Sequence, residues 1–145
     1  MNFEFTLNTN LETGIEIITE ALKAIGFGML SRINFDEKIK EKLGIELPRT
    51  TILGACNPLI AYEAYQRDSN VLLLIPCNVV LEETPGVLKI KIIKPSYMLN
   101  LLNSRELQTI AIEADLAIET AILTAKNTFQ TLNLSDSKRF DPNKQ

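Results

Sequence analysis

Two short segments carry the side chains best able to do chemistry. Ile52-Leu-Gly-Ala-Cys-Asn-Pro58 and Leu74-Ile-Pro-Cys-Asn-Val-Val80 each set a cysteine beside an asparagine at or near the end of an apolar run, the cysteines 21 positions apart. An ionised thiol is a nucleophile, a redox partner or a soft metal ligand. A carboxamide donates and accepts hydrogen bonds, so it can orient a ligand. Cys56 precedes a helix start, where unpaired N–H groups favour thiolate and lower a cysteine pKa. Cys77 follows apolar neighbours that favour the thiol. Neighbouring thiols would support redox or soft-metal chemistry, whereas isolated ones would be small buried hydrophobes, and the sequence leaves both open.

The asparagines divide in the same way. Asn57, followed by Pro58, reads most simply as a helix N-cap with proline at the first helical position. Asn78 sits in an apolar strand and needs a partner if buried, either the backbone of a bulge beside Pro76 or a ligand. Two sulfurs cannot complete a tetrahedral zinc site without carboxylates or a second subunit, so the identity of any metal or cofactor stays open.

Other chemistry is excluded by what is missing. The chain has no histidine, which removes Ser-His-Asp triads, Cys-His pairs and imidazole bases. Glu82 and Glu83 are adjacent, so in a strand they face opposite ways and form no dyad; a solvated strand end is the expectation. Gly26-Phe-Gly28 lacks a third glycine and precedes a strand, the wrong context for a dinucleotide fingerprint. Tyr62 and Tyr65 lie three apart on one helix face and suit core or dimer packing better than base stacking. No catalytic residue is assigned.

The bulk properties agree with a modest binding domain. With 145 residues, 46% apolar and 23% charged, the chain is one globular domain, expected over residues 1–134 with a polar, frayed tail at 135–145. A net charge of −3 predicts neither a nucleic-acid nor a membrane partner. The start lacks a signal-peptide pattern, and the longest apolar run, residues 71–77, falls far short of the roughly 20 residues of a membrane span. Two cysteines in that setting predict a cytoplasmic protein.

Periodicity then supplies the frame. Phe3, Phe5 and Leu7 alternate as a first strand. Asn10 caps a helix striped by Leu11, Ile15, Ile18, Leu22 and Ile25, closed by Gly26. A strand over residues 27–33 follows, then a short helix opened by Asp36 and Glu37, edged by Ile39 and Leu43, and stopped by Gly44. Residues 50–56 form a third strand, and the helix after Asn57 holds a Glu63–Arg67 pair. Residues 71–83 read as a strand whose first part is apolar on both faces, central in a sheet or covered by a partner. Thr84-Pro85-Gly86 reads as a hairpin turn, and residues 87–94 as the returning strand with Leu88, Ile90 and Ile92 inward. A long helix runs from residue 105 to about 127, striped by Leu107, Ile110, Ala114, Ala117, Ala121 and Ala125. Ile112, Leu116 and Leu123 make a second apolar edge, to be covered by a second copy of the chain or by its own sheet and loops.

With its paired Cys-Asn segments, Gly26-Phe-Gly28 and the Asp36–Gly44 helix, the chain resembles the bacterial and archaeal domain-of-unknown-function family numbered 302, over roughly residues 3 to 127. The resemblance implies a single α+β domain, a curved, mainly antiparallel sheet packed by helices in a TATA-binding-protein-like arrangement, often dimeric, with no established reaction. Strand–helix alternation alone would have suggested an α/β sheet. The resemblance raises Cys56, Asn57, Pro58, Cys77 and Asn78 as candidate ligand-binding residues without giving them roles. The resulting expectation is a non-catalytic homodimer that binds a small-molecule ligand near the Cys-Asn segments. The alternative is a thiol-dependent redox or soft-metal-binding protein using Cys56 and Cys77.

Overall fold

Strict alternation turns Phe5 and Leu7 of β1 (Asn2–Leu7) inward and leaves Glu4 and Thr6 in water. The computed structural model describes residues 1–139, with side chains described to residue 136. Asn10 caps α1 (Leu11–Lys23) by accepting the Thr13 N–H at 2.9 Å. Leu11, Ile15, Ile18 and Leu22 of the expected stripe are buried. Next come β2 (Gly28–Asn34), α2 (Phe35–Leu43), β3 (Thr50–Cys56) and α3 (Pro58–Arg67). The apolar edge expected on α2 finds little cover, for Ile39 is half-buried and Leu43 exposed.

The strand expected from residue 71 starts later. Ser69–Leu74 winds as a 3-10 helix begun by Asp68, whose side chain accepts the Asn70 N–H at 2.9 Å. Val71 enters a small core with Ala64, Leu99, Leu107 and Ile110, while Leu72 and Leu73 are exposed. Apolar composition on both faces thus reflects a turn with one buried side, not a strand covered twice. Pro76 has no N–H for a ladder, and β4 (Cys77–Thr84) begins just after it. Cys77 therefore opens the strand instead of lying inside it. The hairpin into β5 (Val87–Ile93) turns at Pro85-Gly86, with Thr84 Oγ1 donating to the Val87 carbonyl at 2.9 Å.

The strands form one sheet in the order β1-β5-β4-β3-β2, every neighbour antiparallel. That pairing replaces the α/β sheet suggested by strand–helix alternation with the α+β fold. One face packs Leu53, Val79, Leu81, Leu88, Ile90 and Ile92 against α1 and the long helix α5 (Arg105–Arg139). Small residues at 114, 121 and 125 let α5 approach the sheet, with Ile118 and Ile122 filling between them. The helix runs well past its expected end near residue 127, and the tail beyond residue 139 lies outside the described residues. A short helix, α4 (Pro95–Leu99), joins β5 to α5 through a 3-10 turn at Asn100–Leu102.

Two charged contacts differ from local expectation. Arg67 pairs with Glu106 of α5 at 2.7 Å instead of with Glu63, because α3–α5 packing brings the α5 carboxylate within reach. Glu83 is half-buried, and its Oε2 accepts the Leu11 N–H at 3.1 Å, which occupies the start of α1. Arg49 reaches Glu83 at 3.7 Å, and Glu12 takes Arg32 at 2.8 Å. This end of the sheet is ionic; the opposite end is apolar.

Candidate functional site

The apolar end gathers segments that lie far apart in sequence. Gly28, first in β2, is the ladder partner of Cys56, last in β3. Ala55 is the partner of Cys77, first in β4. α4, which follows β5, closes the same end. Where these elements meet lies a cavity of about 50 Å³ whose walls include Phe27, Cys56, Asn57, Cys77, Met98 and Ala114.

Local chemistry explains how Asn57 is held. Its Oδ1 accepts the N–H groups of Leu59 and Ile60 at 3.1 and 3.2 Å, so it caps α3, and Pro58 takes the first helical turn with its ring exposed. Gly26 lies against the same carboxamide: its φ is +90°, and a Cβ there would stand 2.9 Å from Asn57 Nδ2. Gly26-Phe-Gly28 thus belongs to this end of the sheet as packing against Asn57, a cavity wall and a ladder partner for Cys56.

The second Cys-Asn pair divides between two faces. Cys77 lines the cavity, whereas Asn78 is exposed opposite Gly54 in the ladder. The two dipeptides therefore do not share a local setting. Cys56, Asn57 and Cys77 come together; Pro58 and Asn78 stand outside the cavity wall. Tyr62 and Tyr65 are also exposed, so neither serves the core.

The thiols are not activated. Both are free and half-buried. Burial raises the Cys56 pKa, opposite to the lowering expected from the helix start. Burial first, and then negative charge on Cys56 and Asp115, together push Cys77 up to about 11. At neutral pH the wall therefore presents two neutral, soft sulfur donors, with no acid–base pair beside them. Among the described residues no group of three or more His, Cys, Asp or Glu side chains is placed to hold a metal ion.

This arrangement can be set beside known proteins. The family model for Domain of unknown function DUF302 matches residues 3–125. The chain belongs to the DUF302 family. A crystal structure of an uncharacterized conserved DUF302 protein from Bacillus stearothermophilus is similar at a TM-score of 0.79 and 27% identity, covering 86% of this chain and 97% of that one. Comparison with curated proteins gives no match. Among the described residues of this DUF302 chain, no helix is long and apolar enough to cross a membrane.

Sequence reasoning missed two members of the site. Met98 lies on a five-residue helix with no pattern of its own, and only the return of that helix to the sheet end brings it to Cys56 and Cys77. Asp115 of α5 accepts from Ser96 N at 3.1 Å and from the Ser96 hydroxyl, and so fixes α4 in place.

Proposed function

We propose that this DUF302 chain is a non-catalytic, dimeric, cytoplasmic domain that binds a small ligand in the cavity between Cys56-Asn57 and Cys77. The observation carrying this reading is the convergence of Cys56, Asn57 and Cys77 with Phe27 and Met98 on one cavity. Among the described residues the wall supplies no base, acid or activated nucleophile, which argues for binding over turnover. Size restricts the occupant. About 50 Å³ is far below the roughly 300–1,000 Å³ of drug-sized ligand sites, so the ligand is an ion or a few heavy atoms. Two free thiols fit a reducing compartment. The dimer is supported by the second apolar edge of α5, where Ile112, Leu116 and Leu123 stay 52, 58 and 61% exposed and the chain's own sheet and loops leave them uncovered.

Native mass spectrometry of the freshly purified protein tests both parts. A dimer carrying a small adduct, lost when Cys77 is replaced by Phe to fill the cavity, is the expected result. A bare monomer that gains no thermal stability from small soft ions or apolar probes would defeat the reading.

A second reading, redox chemistry at the thiols, is favoured by Cys56 and Cys77 sharing one wall and by the charge of Cys56 acting on Cys77. Treatment with a small-molecule disulfide would then join the two sulfurs, with the reagent reduced to two thiols. Peptide mapping would detect the intramolecular link.

A further inference from the structure

We infer that the cavity is a site for a soft monovalent cation, Cu(I), held by the sulfur atoms of Cys56, Cys77 and Met98. The inference rests on the reading of the cavity as the ligand site and names its occupant. The chain has only two cysteines and three methionines. Three of these five residues line one cavity, contributed by the end of β3, the start of β4 and α4. No histidine exists to compete, and among the described residues no carboxylate-bearing one lines the wall. Asn57, the one carboxamide in the wall among the described residues, has its oxygen committed to the start of α3.

That donor set selects by softness. Thiolate and thioether sulfur suit Cu(I), whereas Mg²⁺ and Ca²⁺ require oxygen, and structural Zn²⁺ takes four ligands drawn from Cys, His and carboxylates. Volume agrees with the donors: a bare ion with two or three sulfur bonds fits about 50 Å³. All three side chains are half-buried, so an ion reaches them without unfolding of the domain. Apolar surroundings keep water away, and with it the nitrogen and oxygen ligands preferred by Cu(II).

The binding step is balanced without electron transfer. Each cysteine Sγ releases its proton to solvent as its bond to copper forms, so two protons leave per ion. Met98 Sδ donates a lone pair and loses nothing. The bound unit carries one net negative charge, and copper stays Cu(I).

An anaerobic titration of the full chain against Cu(I) buffered by bicinchoninate, a coloured chelator, tests the assignment. Wild type is expected to withdraw one equivalent. Cys56→Ser and Cys77→Ser should each weaken that competition at least tenfold. Met98→Leu, close in volume, should keep the stoichiometry, weaken binding severalfold, and lose one sulfur from the copper X-ray absorption spectrum. Circular dichroism checks the fold of each variant; should a serine variant not fold, the wild-type and Met98→Leu spectra still decide. Folded wild type that leaves copper with the chelator, nitrogen or oxygen ligands around bound copper, or cysteine variants that bind like wild type would overturn the inference. A native adduct other than copper, lost on filling the cavity, would overturn it too while leaving the ligand-site reading intact. Neither copper nor any adduct would defeat both.

Discussion

Ser96 and Asp115 hold α4 against α5: the Asp115 carboxylate accepts the Ser96 backbone N–H at 3.1 Å and the Ser96 hydroxyl as well. The helix has no other side-chain cap, since Lys94 at its N-cap position makes none and Pro95 has no N–H. One carboxylate thus positions the helix that carries Met98. Replacing Asp115 with Ala should destabilise the domain by about 1.5–3 kcal/mol, the range for hydrogen bonds to a charged group. Asp115→Asn, which still accepts one bond, should lose less. Urea denaturation measures both, and a loss below about 0.5 kcal/mol for the alanine variant would show that the clamp is idle.

The thiols should respond to pH in a definite direction. Burial disfavours thiolate, so both pKa values lie above the ordinary thiol value, Cys77 at about 11. Below its pKa each alkylation rate should rise about tenfold per pH unit, with Cys56 faster than Cys77 at neutral pH. The same shifts link to stability. A thiol whose folded pKa is raised stabilises the fold below the unfolded pKa, and that contribution fades as pH climbs from about 9 towards 11. Iodoacetamide kinetics followed by peptide mass spectrometry would show it; a Cys56 rate that levels off near neutral pH would contradict the burial argument.

Asn57 and Asn78 offer a matched contrast. Asn57→Ala removes the cap of α3 and should cost about 1 kcal/mol. Asn78→Ala changes an exposed carboxamide and should stay within about 0.5 kcal/mol. Equal losses in urea denaturation would mean that Asn78 has a structural partner.

For the α5 edge, Leu116→Glu is the informative substitution. Leu116 is mostly exposed in the single chain, so a glutamate there leaves the fold intact but buries an unpaired charge at a dimer contact. Light scattering should give a dimer for wild type and the 16.3 kDa chain mass for the variant. Wild type at 16.3 kDa would remove the dimer from the proposal.

Cys56 and Cys77 show where local pattern stops being enough. Their spacing and apolar neighbours singled them out, but neither tells whether two strand ends meet, because that depends on register between β3 and β4. Helix-start logic correctly made Asn57 a cap, but its prediction for Cys56 did not allow for burial, which disfavours the thiolate and raises the pKa. Residues 71–74 misled for a related reason, since a strand and a tight turn can share one apolar composition.

By itself the sequence determined what depends on neighbours within a turn or two: the β1 alternation, the Asn10 and Asn57 caps, the glycine stop at Gly44, the Pro85-Gly86 hairpin and the inward face of β5. These follow from backbone geometry and from hydrogen bonds a few residues long. Antiparallel strand order, the Arg67–Glu106 pair, the Asp115–Ser96 clamp and the meeting of Cys56, Cys77 and Met98 were decided only by the tertiary structure. Each joins groups distant in sequence, and their approach is set by how α5 and α4 bury their apolar sides against the sheet and the neighbouring helices, a balance summed over the whole core.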